Sequence, residues 1–268
     1  MSTPASSAAF SPHGVRAALV VLAAGDGRRA EHHTNKVLLP LAGRRVFTWS
    51  IQWARLLPAI THTVLVVRDE DRDVVQEVLD REVEPPPVQM VTGGDTRHES
   101  ELAALTALAT DIDAGEIDVV VIHDAARPLA RTGLFAGVIE AAAEHGGAIP
   151  VRHQRHLTAS QDDERPPSSV VAVQTPQAFL ARPLLDAYTR AKDDQFVGTD
   201  TASCIERYTD LPVWCIPGDA GNIKITFPED LFLAERLLAK AHWDLSDGSS
   251  LHRERPHLRD LRRTGEHP

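Results

Sequence analysis

The chain has 268 residues, 43% hydrophobic and 25% charged, and a formal net charge of −10. Those values exclude wholesale disorder, collagen and coiled coil, and a compact fold of this length buries about 75% of its unfolded surface without disulfides or metals. The acidic balance excludes a general nucleic-acid binder, so any anionic ligand needs a local basic cluster.

Residues 1–15, rich in Ser, Ala and Pro, lack the basic and apolar regions of a signal peptide and read as a disordered leader. The run Ala17 to Ala24 is the longest apolar stretch, far short of the about 20 residues that span a bilayer. It opens a series of short apolar strands: 17–23, 61–67, 87–91, 118–123 and 147–151. Strands without polar alternation predict a parallel sheet covered on both faces. Helices are predicted between them at 46–57, at 69–80 with Val74, Val75, Val78 and Leu79 on one face, and at 97–109 with Leu102, Leu105 and Leu108 as its stripe. This rhythm is that of a doubly wound α/β sheet. Residues 152–172 are a polar excursion, a long loop or a protruding two-stranded arm, with strand character returning at Val170–Val173. Strands follow at 211–216 and 222–226, then a helix from Pro228. Residues 244–268 read as a flexible tail, leaving one domain over 16–243. Cys204 and Cys215 are too few for a secreted disulfide framework, so a reducing cytoplasm is expected.

Several segments just beyond strands carry the chemistry. LAAGDGRR (22–29) presents Gly25 and Gly27 beside Arg28, Arg29 and Lys36, which reads as a triphosphate cradle or as a solvated basic loop. It matches neither a Walker A loop nor a complete dinucleotide fingerprint. Asp124 ends the strand of VVVIHDAARPL (119–129), where it can ligate Mg²⁺ or cap a helix, and Arg127 can fork a phosphate or form a surface ion pair. GGDTRHES (93–100), VQTPQAF (173–179), GTDTAS (198–203) and GNIKITFPEDL (221–231) mix small, hydroxyl and charged residues. Lys224, inside an apolar stretch, must reach a cleft or an edge.

Taken together, these motifs over residues 17–240 resemble the sugar-alcohol-phosphate cytidylyltransferases, above all the 2-C-methyl-D-erythritol 4-phosphate cytidylyltransferase family. The resemblance implies a Rossmann-like nucleotidyltransferase fold, mostly parallel with helices on both faces and a protruding β-arm. It also implies CTP as donor, a polyol phosphate as acceptor, Mg²⁺, and a homodimer joined through the arm, with no nucleic acid or membrane as partner. It makes Arg29, Lys36 and Lys224 the catalytic cations at the α-phosphate. It gives nucleotide binding to Ala23, Ala24, Gly25, Gly27, Gly94, Asp95, Arg97, Ser100, Asp124 and Ala125, with Asp124 also at the metal. Acceptor binding falls to Arg127, Thr175 and Thr199, and either Arg152, Arg155 or Arg165 serves the acceptor phosphate from a shifted position or the acceptor differs from methylerythritol phosphate. The chain departs from the family pattern at three places: Asn35 stands before the lysine where proline is usual, His153-Gln154 replace Asp-Thr, and Pro167 replaces an arginine. The last two fall in the acceptor segment.

The reaction suits these residue types. The acceptor phosphate is already anionic, so the enzyme needs charge neutralisation rather than a strong base. Ribitol 5-phosphate as acceptor, a sugar-1-phosphate transferase using UTP or GTP, and a catalytically silent nucleotide-binding paralogue are the competing expectations.

Overall fold

The structure, a computed structural model, describes residues 14–25, 35–154 and 170–246. Strand β1 (Ala17–Leu22) is followed by a short hairpin of β2 (Pro40–Leu41) and β3 (Arg44–Arg45), then helix α1 (Val46–Arg55) and β4 (Ile60–Val67). Next come α2 (Arg72–Glu82), β5 (Gln89–Thr92), α3 (Arg97–Asp113) and β6 (Val119–Asp124). The second half holds α4 (Thr132–His145), β7 (Gly147–His153), β8 (Val171–Val173) and β9 (Gln177–Leu180). It closes with α5 (Ala181–Asp193), α6 (Thr201–Tyr208), β10 (Val213–Pro217) and α7 (Pro228–Ser246).

The main sheet runs β10-β7-β9-β6-β1-β4-β5, with β8 paired to β7. β1 is parallel to both β4 and β6, whereas β9 is antiparallel to β6 and β7. Successive side chains on a strand face opposite ways, and the core divides accordingly. Leu19, Val21, Val119 and Val121 pack with Phe47, Val75, Val78 and Phe135, which puts α1, α2 and α4 on one face. Val20, Val64, Val120 and Ile122 pack with Leu105, Leu108, Leu184 and Ile205, which puts α3, α5 and α6 on the other. The chain leaves β1 for β4 and β5, then returns to β6 on β1's other side. Strand order therefore reverses between β1 and β6, and a crevice opens at their carboxyl ends, where ligands bind in such sheets.

The expected α/β architecture is present, with corrections. Residues 222–226 form no strand: they are tied to neighbouring loops, as by Ile225 N–H donating to Ala126 O at 2.8 Å, instead of joining a ladder. Val74 is exposed, because α2 begins at Arg72 after a 3₁₀ turn and turns Val75, Val78 and Leu79 inward. Val15 is buried, so the ordered domain reaches into the expected leader, and α7 continues through Ser246 into the expected tail. The excursion begins and ends as an antiparallel pair, Arg152 opposite Ala172 and His153 opposite Val171. Residues 155–169 lie outside the described residues, as does most of the leader and the rest of the tail.

Candidate active site

Asp124 is the last residue of β6, in register with Leu22 of β1, so its carboxylate stands at the crevice where the strand order reverses. The side chain is almost wholly buried among cations. Arg97 Nη1 bonds Oδ1, Lys224 Nζ donates to Oδ2 at 2.8 Å, and Arg127 Nε lies 3.9 Å from Oδ2. Burial alone would raise this carboxyl, but Arg97 and Lys224 outweigh it and hold Asp124 well below the usual carboxylate range. It is thus ionised throughout the neutral range. The helix-cap reading of Asp124 and the surface-pair reading of Arg127 both give way to one buried charge cluster.

The backbone around the cluster is fixed by a directed hydrogen-bond chain. His123 is fully buried, and burial pushes its ring down to about 3, so it is neutral at pH 7. His123 Nε2 lies 3.2 Å from Arg127 O, an acceptor only, so Nε2 carries the proton. Nδ1 must then accept from Thr175 Oγ1 at 3.2 Å, and Thr175 Oγ1 accepts from Asp124 N–H at 3.0 Å. Asn222, also fully buried, donates from Nδ2 to Thr175 O at 2.8 Å and accepts at its backbone carbonyl from Arg127 Nη1 at 2.9 Å. Gln174 exchanges bonds with Asp219: its Nε2 donates to Asp219 O at 2.8 Å, and its Oε1 accepts from Asp219 N–H at 3.1 Å. These bonds dock residues 219–224 on the β6 and β8–β9 loops, which lets Lys224 reach Asp124 without a strand.

Arg97 has a second carboxylate behind it. Its Nε lies 3.0 Å from Oε1 of Glu101, a residue 1% exposed that also accepts from Tyr188 Oη and from Thr201 Oγ1, the latter at 2.8 Å. Burial raises the Glu101 carboxyl, opposed by Arg97, Tyr188 and Thr201. Glu101 therefore joins α3, α5 and α6 behind the crevice.

On the β1 side, Ala23 is buried and its N–H donates to Val66 O at 2.8 Å. A Cβ placed on Gly93 would stand 2.5 Å from Ala24 Cβ and 2.8 Å from Ser100 Oγ, so these loops meet at a contact that admits only glycine. Gly25, Gly94 and Asp95 are exposed at the same rim, and Ser100 is buried beneath it. Ala125 is fully buried, its N–H donating to Leu22 O at 3.0 Å. Lys36 opens a 3₁₀ turn and is half-buried.

The structure thus brings Arg97, Asp124, Arg127, Thr175 and Lys224 together, and Ala23, Ala24, Gly94 and Ser100 into an adjoining rim. Arg152 is exposed at the end of β7, and Thr199 is exposed before α6. Gly27, Arg29, Arg155 and Arg165 lie outside the described residues. Sequence reasoning passed over His123, Glu101 and Asn222 as site-forming residues; His123 was visible as a histidine inside an apolar strand. Among the described residues, the group with metal-ligand spacing is His62, Asp111 and Glu116, at the opposite end of α3 from Arg97.

The family model described as 2-C-methyl-D-erythritol 4-phosphate cytidylyltransferase matches residues 17–240. A protein of that name from Geobacillus kaustophilus (strain HTA426) is 37% identical over 227 residues, covering 82% of this chain and 96% of its own. The crystal structure of 4-diphosphocytidyl-2C-methyl-D-erythritol synthase from Anaerococcus prevotii DSM 20548 superposes with a TM-score of 0.71 at 25% identity, over 85% of this chain and 97% of that one. The 2-C-methyl-D-erythritol 4-phosphate cytidylyltransferase from Thermus thermophilus does so with a TM-score of 0.60 at 27% identity, over 82% and 98%.

Proposed function

The chain belongs to the 2-C-methyl-D-erythritol 4-phosphate cytidylyltransferase family, and from that premise we propose how its residues divide the work. The enzyme transfers CMP from CTP to 2-C-methyl-D-erythritol 4-phosphate and releases pyrophosphate, a step in isoprenoid biosynthesis. An oxygen of the acceptor phosphate attacks the α-phosphorus, and the bond to the β-phosphate oxygen breaks. Two polyanions must meet, so the barrier is lowered by cations aimed at the reacting phosphate.

The observation that carries this reading is the ionised Asp124 with Arg97, Lys224 and Arg127 gathered on it at the carboxyl end of β6. Before substrate arrives, the carboxylate keeps those cations aligned. Lys224, whose side chain is 45% exposed, has room to swing from Asp124 toward the α-phosphate. Lys36 and Arg29 act with Lys224 there. The rim of Ala23, Ala24, Gly25, Gly94, Asp95 and Ser100 receives cytosine, with Ala125 close by, and Gly27 remains part of this reading from the sequence alone. Arg127 and Thr199 face the acceptor, helped by Arg152, Arg155 or Arg165 from a second copy's arm.

Asp124 fits Mg²⁺ once Lys224 has swung to the phosphate and released Oδ2: its ionised carboxylate is then a hard oxygen donor, and this ion is commonly held by one or two carboxylates plus substrate phosphates. Bound there with CTP, it would screen the triphosphate's negative charge. Thr175 departs from the simple acceptor role, since its hydroxyl already donates to His123 and accepts from Asp124 N–H. It shapes the pocket by holding Asp124 in place.

A homodimer through residues 152–172 belongs to this reading, and the described ends of that segment pair antiparallel as the base of such an arm would. A reducing cytoplasm fits two free cysteines, one buried and one exposed. No helix of the described residues is long and apolar enough to cross a membrane. The test is a matrix of CTP, UTP, ATP and GTP against 2-C-methyl-D-erythritol 4-phosphate and ribitol 5-phosphate, read by pyrophosphate release. CTP with the methylerythritol phosphate gives the fastest turnover. Faster turnover with a purine nucleotide or with ribitol 5-phosphate overturns the assignment.

A further inference from the structure

We propose that Asn35 is a positioning residue that holds Lys36 in register with the nucleotide rim through its side-chain amide. This rests on the reading of Lys36 as a catalytic cation. Asn35 is 4% exposed, and its φ of −58° lies inside the window that a proline ring would impose. The backbone therefore follows a proline-like path without a proline, and the side chain makes bonds that proline could not. Nδ2 donates both its protons, to Ala23 O at 3.0 Å and to Asp71 Oδ2 at 2.9 Å, while Oδ1 accepts from Val37 N–H at 3.3 Å. Asp71 is itself buried and gripped by Arg68, with Nε to Oδ2 at 2.7 Å and Nη2 to Oδ1 at 2.8 Å.

One amide thus ties three places together: the exit of β1 at the rim, the turn that begins with Lys36, and the junction between β4 and α2. Asn35 and Val37, the neighbours of Lys36 on either side, are both anchored by it. Val37 and Leu38 are buried in the core below, so the Lys36 backbone cannot drift without breaking these contacts. A side chain aimed at a transferring phosphate needs that precision, since a displacement of about 1 Å costs on the order of 10²-fold in rate. The ordinary alternative is that Asn35 merely caps a 3₁₀ turn and supports the fold.

A double-mutant cycle separates the two. Asn35→Ala should lower kcat about 10- to 100-fold, with a smaller rise in the KM for CTP. In a Lys36→Ala background the same change should cost under about threefold in kcat, because the group being positioned is gone. The fall in Tm from Asn35→Ala should be alike in both backgrounds. Asn35→Ser, which keeps a cap for Val37 but cannot span Ala23 and Asp71, should give an intermediate kcat and serves if the alanine variant does not fold. Equal kcat losses in both backgrounds, or wild-type kcat in Asn35→Ala while Lys36→Ala is crippled, would overturn the proposal. Near-normal turnover in Lys36→Ala would instead remove the reading of Lys36 on which it rests.

Discussion

Replacing Asp124 by asparagine keeps the shape of the cluster and deletes its anion. Arg97 and Lys224 then face a neutral amide, and Arg127 loses the charge 3.9 Å away. Stranding the remaining partners of a buried pair typically costs about 3–5 kcal/mol. Lys224 is 45% exposed and can retreat into water, which places the expected loss at the lower end, about 3 kcal/mol at pH 7. The pH dependence follows from the direction of the shift. A carboxyl held below its unfolded value stabilises the fold above that value, about 3.9, and the contribution disappears as pH falls toward the folded pKa. The stability gap between wild type and Asp124→Asn should therefore be flat from about pH 5 to 8 and should narrow below about pH 4. Urea titrations at several pH values measure it, and other groups cancel to first order in the difference. Pyrophosphate should also stabilise the variant more than wild type, since it restores anionic charge among the cations. A gap below about 1 kcal/mol at pH 7, or one unchanged down to about pH 3, would refute the reasoning.

Two further substitutions probe the supports behind the cluster. Glu101→Gln presents an amide proton to a group of donors (Tyr188 Oη, Thr201 Oγ1 and Arg97 Nε). It should cost about 2–3 kcal/mol in urea titrations and raise the CTP KM more than it lowers kcat; an unchanged CTP KM would show that Arg97 does not depend on Glu101. His123, depressed to about 3, is neutral in the fold but protonates in the unfolded chain below about pH 6.5. The wild type should thus lose up to about 1.4 kcal/mol per pH unit below about 6.5 from this residue, and His123→Gln should lack that component. Indistinguishable acid limbs in the two proteins would contradict the buried neutral ring.

Much of this was legible in the chain. The all-apolar runs at 17–23 and 118–123 located β1 and β6, because strands covered on both faces leave no polar positions. Placing Asp124 at the end of one strand and the Gly93-Gly94 pair just past another located the crevice. Strand β9 was missed because four residues carry little periodic signal, and their strand identity comes from lying between β6 and β7. Residues 222–226 looked like a strand because alternating isoleucines suit one; here Asn222 is buried against the Thr175 and Arg127 loops, and Ile225 packs with Trp49 of α1 and with Ala234 and Leu238 of α7. Glu101, Tyr188 and Thr201 are joined over separations of 87 and 100 residues, so no local pattern announces them.

The order in which the site's parts occur along the chain bears on how the enzyme is made. Synthesis delivers the amino-terminal half first, and that half already contains β5, β4, β1 and β6 with Arg97 and Asp124. Thr175, Asn222 and Lys224 follow later, Lys224 100 residues after its partner Asp124. A nascent chain can therefore assemble half the sheet and its rim while lacking the cation that completes the cluster. A chain that ends before Lys224 carries Arg97 and Asp124 without the lysine that donates to Asp124 Oδ2.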